Sequence, residues 1–162
     1  MPVISITTNP ENLWDNETGI YAMGSNPGDH PYFGANFWQD WEKPAYIEFF
    51  EPDGKQGFEM PCGIKIFGAW SRAHAQKSFS LHARGEYGEK EIEYDIFHYS
   101  PVKDFETVVL RNGGNDFLNS NIRDEFMTSL VDDLNIDHQA YRPSVIYLNG
   151  EYWGLLHIRK NK

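Results

Sequence analysis

The sequence is poor in sulfur and in positive charge. Its single cysteine, Cys62, excludes an intramolecular disulfide and a cysteine metal cluster. Fourteen lysines and arginines stand against 24 aspartates and glutamates, a formal net charge of −10, and no basic block occurs. Nucleic acid and anionic membrane are therefore poor partners for the surface as a whole, although local cations and Mg²⁺ can still hold a nucleotide. No apolar run approaches the roughly 20 residues of a transmembrane helix, so membrane insertion is not expected. The opening Met1-Pro2-Val3-Ile4-Ser5-Ile6 reads directly as a strand, with no signal peptide before it. Internal repeats and low-complexity tracts are missing too. The six histidines show no zinc-ligand spacing and no serine sits in a nucleophile elbow, which argues against a self-sufficient hydrolase.

What is present is a chain of 162 residues, 40% hydrophobic and 15% aromatic. That is enough for one domain with its own core, spanning residues 1–162. The aromatic content suits a β-rich fold, or a surface for sugar or peptide. Val3 to Thr7 reads as a strand, Pro10 to Trp14 as a short helical segment, and Gly19 to Met23 as a second short strand. Gly24 to Trp41 is a long polar and aromatic stretch, read either as a lid packed on the sheet or as a sugar-binding platform. Further strands are expected at Ala45–Phe50, Lys90–Phe97 and Phe105–Arg111. Arg111-Asn112-Gly113-Gly114-Asn115-Asp116 then packs four costly polar groups into one turn, and predicts a hydrogen-bonded cluster. Asn149-Gly150 marks a final hairpin, with Tyr147 expected opposite Tyr152 and Ile146 opposite Trp153.

One long helix is expected over Asn121–Asn135, capped by Asn121 and Asn135. Ile122, Phe126, Met127, Leu130, Val131 and Leu134 form its apolar stripe, which predicts that this face meets the sheet and that Glu125 faces solvent. Arg123 falls within the stripe and in the first turn, where it opposes the helix dipole, so it requires a carboxylate or phosphate partner. The fold class is therefore α+β: a mainly antiparallel, twisted sheet with one long helix packed on it.

The centre of the chain is Gly63 to Arg84. Its two flanks alternate with period two, as the strands of a hairpin do. Lys77 shares a face with Phe79, Leu81 and Ala83, so a lysine opens the second strand on its apolar side. Such an ammonium must either reach water or meet an anion. The connection before it carries Ser71, Arg72 and His74, a plausible phosphate cradle, or else the wet end of an ordinary surface hairpin.

Several of these pieces, in this order, resemble the CotH kinase family, named for a bacterial spore-coat protein. They are Gly68-x-x-Ser71-Arg72 with Lys77-Ser78-Phe79, Leu110-Arg111-Asn112 with Asn115-Asp116, Ile122-Arg123-Asp124, and Tyr141-Arg142-Pro143 with Tyr147-Leu148-Asn149-Gly150-Glu151-Tyr152-Trp153-Gly154. The resemblance implies the N-terminal lobe of an atypical, protein-kinase-like fold. It also implies ATP and Mg²⁺ as cofactors, and phosphorylation of serine or threonine in extracellular or spore-coat proteins. Lys77 would be the phosphate-contacting lysine, Ser71 and Arg72 would lie in the loop over the phosphates, and Arg123 would stand on the helix beside the site. By the same resemblance the catalytic and metal-binding aspartates belong to a second lobe beyond the final hairpin, so this portion is expected to be inactive alone. A homodimer through the apolar face a second lobe would bury is a further expectation. The alternative is a noncatalytic extracellular module that binds glycan or protein through Trp38, Trp41 and Trp70.

Overall fold

Seven strands close into a barrel in the computed structural model of the chain, which describes every residue except 132, 133, 135, 137, 161 and 162. The strands are β1 (Val3–Thr7), β2 (Lys43–Phe50), β3 (Gln56–Phe67), β4 (Ser78–His82), β7 (Thr107–Arg111), β8 (Tyr141–Leu148) and β9 (Glu151–Lys160). Their order around the barrel is β1-β2-β3-β4-β7-β9-β8, and β8 returns to β1. Every pair is antiparallel except β1 with β8. A two-stranded ribbon, β5 (Ile92–Glu93) with β6 (Asp104–Phe105), stands apart. The helices are α1 (Pro10–Trp14) and α2 (Arg123–Ser129). The chain is thus sheet-rich and mainly antiparallel, as its alternation predicts, but the sheet closes on itself.

The alternation explains the closure. Ile6, Ile47, Ile64, Leu81, Leu110, Ile146, Leu156 and Ile158 point into the barrel, and each is at most 1% exposed. Each contributes roughly 1.5–3 kcal/mol of burial, and closure leaves no open edge among these seven strands. One end of the barrel, where β3 ends and β4 begins, is covered by the chain between β1 and β2, through Leu13, Ile20, Ala35 and Phe37. At the other end, Arg142 donates to Glu51 and to the Ile96 carbonyl, while Tyr94 packs on Phe49 and Phe58.

Four expectations are corrected. Gly19–Met23 forms turns rather than a strand, because Ile20 and Tyr21 donate their N–H groups back to Asn12 and Leu13 of α1. Lys90–Phe97 pairs only at Ile92–Glu93. In the last hairpin Tyr147 does face Tyr152, but Ile146 faces Gly154, because a bulge leaves Trp153 unpaired. Gln76 fills that bulge, donating to the Trp153 carbonyl at 2.8 Å, and a Cβ on Gly154 would lie 2.1 Å from the Gln76 amide.

The fourth correction concerns α2. It runs over Arg123–Ser129, and the expected cap at Asn135 lies outside the described residues. Asn121 does not cap it; instead the Asp116 carboxylate accepts the Arg123 N–H at 3.1 Å. The helix also presents the opposite face. Glu125 is 3% exposed, whereas Ile122, Phe126, Met127, Leu130 and Leu134 are all more than half exposed. The reason lies in the sheet. On β9, His157 and Arg159 alternate with the inward Leu156 and Ile158, so they project from the outside of the barrel, and Arg111 lies beside His157 on β7. The two arginines select the carboxylate face: Arg159 meets Glu125 at 2.5 Å and Arg111 meets Asp124 at 2.9 Å. Glu125→Ala should therefore cost up to about 3–5 kcal/mol in urea unfolding, since it leaves a buried guanidinium with only the more distant Asp124 carboxylate and Gln139 amide oxygen, at 3.6 and 3.4 Å, while Phe126→Asp should change stability by only about 0.5 kcal/mol. The reverse ranking would place the apolar stripe against the barrel.

Candidate functional site

The Lys77 ammonium lies at the covered end of the barrel, one residue before β4, and Lys77 is 5% exposed. Parity puts it there: it shares the inward side of β4 with Phe79 and Leu81. Nζ donates to the His74 carbonyl at 2.8 Å. It sits 4.0 Å from the centre of the Phe37 ring and 4.9 Å from that of Tyr21. Among the described residues no carboxylate stands within ion-pair distance of it. Two ring faces, each contributing roughly 0.5–2 kcal/mol, and one carbonyl only partly offset the loss of water. Burial accordingly pulls the Lys77 pKa from 10.5 down to about 8.

The loop before Lys77 is held by a glycine turn and by hydrogen bonds from both sides. Gly68 has φ +118°, and a Cβ there would lie 2.4 Å from Ser71 Oγ, so the turn onto Ser71 requires glycine. Arg72 does not point at open solvent. Its Nε donates to the Gly68 carbonyl at 2.7 Å, and Nη1 donates to the carbonyls of Phe37 and Gln39 at 3.2 and 3.4 Å. The Tyr21 hydroxyl braces the far side of the loop, donating to the Ala75 carbonyl and accepting from the Lys77 N–H, both at 2.7 Å. Burial, then the Lys77 charge, lowers the His74 pKa.

Asn112 ties this loop to β7. It is fully buried; its Oδ1 accepts from Ser78 Oγ and the Gly114 N–H, and its Nδ2 donates to the Gln76 carbonyl at 2.6 Å. Of the residues expected to cluster over 111–116, Asn112 buttresses the Lys77 loop, whereas Arg111 pairs with Asp124, Asp116 pairs with Ser120 and Arg123, and Asn115 is exposed. His74 stacks on Phe117 from the same turn.

Of the four residues singled out in the sequence, Lys77, Ser71 and Arg72 share one loop. Arg123 lies elsewhere: its side chain is 62% exposed, and its required carboxylate is Asp116 at 3.1 Å. The aromatics also divide. Phe33 and Trp70 are both about three-fifths exposed, with rings 5.9 Å apart, and Phe33 packs on Trp38, whose Nε1 is spent on the Pro31 carbonyl. Trp41 stands under Lys43. Tyr21 and Phe37, the rings that hold Lys77, are reached through contacts 56 and 40 positions away, and no local pattern marks them.

Arg72 and Lys77 bring two cations to one loop, and the rings of Phe37 and Tyr21 lie over the Lys77 ammonium. No group of three or more histidines, cysteines, aspartates or glutamates that could hold a metal ion occurs among the described residues. No described helix is long and apolar enough to cross a membrane.

A mainly antiparallel, sheet-rich α+β fold with one buried cation in a glycine-turned loop is the frame in which the sequence comparisons fall. The family model described as CotH kinase protein matches residues 64–160. That is more than half of the chain, and the chain belongs to the CotH kinase family. No curated protein matches it. The matched span contains Ser71, Arg72, Lys77, Asn112 and Arg123; Tyr21 and Phe37 lie outside it.

The depressed Lys77 pKa has a signed consequence. Between pH 8 and 10.5 the unfolded chain holds a proton on Lys77 that the folded chain has released, so stability from this group rises with pH across that window. Below pH 8 the cost of the buried ammonium is present in full. Urea unfolding at pH 7.5 and pH 10 should show wild type gaining on the order of 1–3 kcal/mol relative to Lys77→Met. Parallel pH profiles for the two proteins would mean that Lys77 is solvated.

Proposed function

We propose that this chain is the nucleotide-gripping part of a CotH-type kinase, its barrel the counterpart of the N-terminal lobe of a kinase-like fold. ATP with Mg²⁺ is the ligand, and serine or threonine in extracellular or spore-coat proteins is the target of the family's transfer. The observation that carries this reading is Lys77: a nearly buried ammonium with no carboxylate partner among the described residues, behind a glycine-turned loop that also carries Arg72. A structural lysine in such a place is ordinarily paired, because an isolated buried charge is costly. A cation left with spare donors is suited to an anion that comes and goes.

Phosphoryl transfer is mostly positioning and charge neutralisation. Lys77 and Arg72 supply cations for phosphate oxygens, and Asn112 fixes the loop that holds them. The reading assigns this chain phosphate binding and proposes no base or metal ligand within it. It is preferred over a glycan-binding module because the Trp38 indole N–H is spent on the Pro31 carbonyl and Trp41 packs with Lys43.

Calorimetric titration with Mg-ATP tests the proposal. Wild type should give saturable heat, and Lys77→Ala, with an unchanged circular dichroism spectrum, should weaken binding at least about tenfold, the loss of one charge-assisted contact. Equal binding by the two proteins, or no heat from wild type at millimolar nucleotide, contradicts it.

A further inference from the structure

The residues that close Lys77 off are as specific as Lys77 itself. Phe37 is 2% exposed and lies in a 3₁₀ turn, Asn36–Trp38, whose other side-chain bonds stay within its own stretch of chain: Asn36 donates to the carbonyls of Asn16 and Gly19, and Trp38 to that of Pro31. Hydrogen bonds tie the turn across to the 68–77 loop through Arg72, whose Nη1 donates to the Phe37 and Gln39 carbonyls. Those two bonds, at 3.2 and 3.4 Å, are long, whereas the Nε bond to the Gly68 carbonyl is short at 2.7 Å. The guanidinium is therefore anchored at Nε while its outer edge is weakly engaged. Phosphate oxygens would offer that edge charge-assisted, bidentate bonds, which neutral carbonyls cannot match.

We infer that Phe37 is a gate over Lys77 and Arg72 is its latch: a polyphosphate first draws the Arg72 outer edge away from the 37–39 turn, and release of that turn lifts the Phe37 ring from the ammonium. The inference rests on the reading of Lys77 as a phosphate cation. Both gate and latch carbonyls come from residues 37–39, outside the span that matches the family, while latch and cation lie within it. The device is therefore assembled from two parts of the chain. It reconciles a lysine suited to phosphate with a site that no phosphate enters as it stands.

Competitive amine acetylation, read by peptide mass spectrometry, tests the gate without nucleotide or activity. Lys55, whose side chain is 83% exposed, is the internal reference. With the reaction run at about pH 11, where both amines are largely unprotonated and their different pKa values no longer set the rate, Lys77 in wild type should react at least about tenfold more slowly than Lys55, as burial and hydrogen bonding require. Phe37→Ala should accelerate Lys77 about tenfold and leave Lys55 unchanged; Arg72→Gln should accelerate it severalfold with Phe37 intact. Should Phe37→Ala unfold, marked by faster reaction at Lys65 as well, Phe37→Leu and Arg72→Gln carry the reading.

A Lys77 that stays slow in Phe37→Leu and in Phe37→Ala, folded, overturns the gate. One that opens in the Phe37 variants but not in Arg72→Gln overturns the latch. Inorganic tripolyphosphate separates the gate from the function beneath it: it should protect Lys77 from acetylation in a Phe37 variant. If Lys77 opens yet gains no protection, the gate stands and the assignment of phosphate to Lys77 falls.

Discussion

Placing an ammonium at the mouth of an apolar barrel sets the terms for everything around it. The Lys77 charge loses water at a cost of several kcal/mol and recovers part of it from one carbonyl and two ring faces. Those partners must be held in place. Tyr21 is fixed by its hydroxyl to both ends of the Ala75–Lys77 step, Phe37 by Arg72, and the His74 carbonyl by a loop that Asn112 pins through Gln76. The segment between β1 and β2, the loop before β4 and the turn after β7 thus converge on one cation. On the proposed reading its partner is a phosphate supplied from outside the chain.

A second electrostatic constraint sets the helix. On amphipathicity alone α2 belongs with its apolar stripe on the sheet, and the stripe is unmistakable in sequence. The sheet it meets is not apolar, however: Arg159 and His157 emerge on the outer face of β9, beside Arg111 of β7. Two carboxylates in the first turn of the helix satisfy that surface, and the stripe is left outward. The helix was legible as a helix; its orientation depended on residues more than thirty positions later, which no local period encodes.

The same division runs through the site. Period-two alternation gave β1, β2, β4 and the last hairpin, and the parity of Lys77 gave its inward position. The density of polar residues over 111–116 marked hydrogen-bonding groups, although not that they turn to separate partners, Asn112 to the Lys77 loop and Arg111 and Asp116 to the start of α2. Short strands failed where burial alone drives the pattern: Ile92 and Ile96 are both buried, yet only Ile92 and Glu93 pair in a ladder. Phe37 was hidden in a stretch read as a lid or a sugar platform, and Tyr21 in one read as a short strand, since an aromatic side chain carries no signal of this kind until the chain folds it over a cation. Arg123, prominent in the sequence, is an outward partner of Asp116.

The most direct test of the account is the ionisation of Lys77 itself. An NMR titration following the Lys77 side-chain ¹³Cε and ¹⁵Nζ resonances, assigned by comparison with Lys77→Arg, reads that ionisation free of any assumption about ligand. A midpoint near 8, well below the other lysines, is the predicted result. A midpoint at the ordinary 10.5 would show a solvated or paired ammonium, and the central claim, a desolvated cation waiting for an anion, would be wrong.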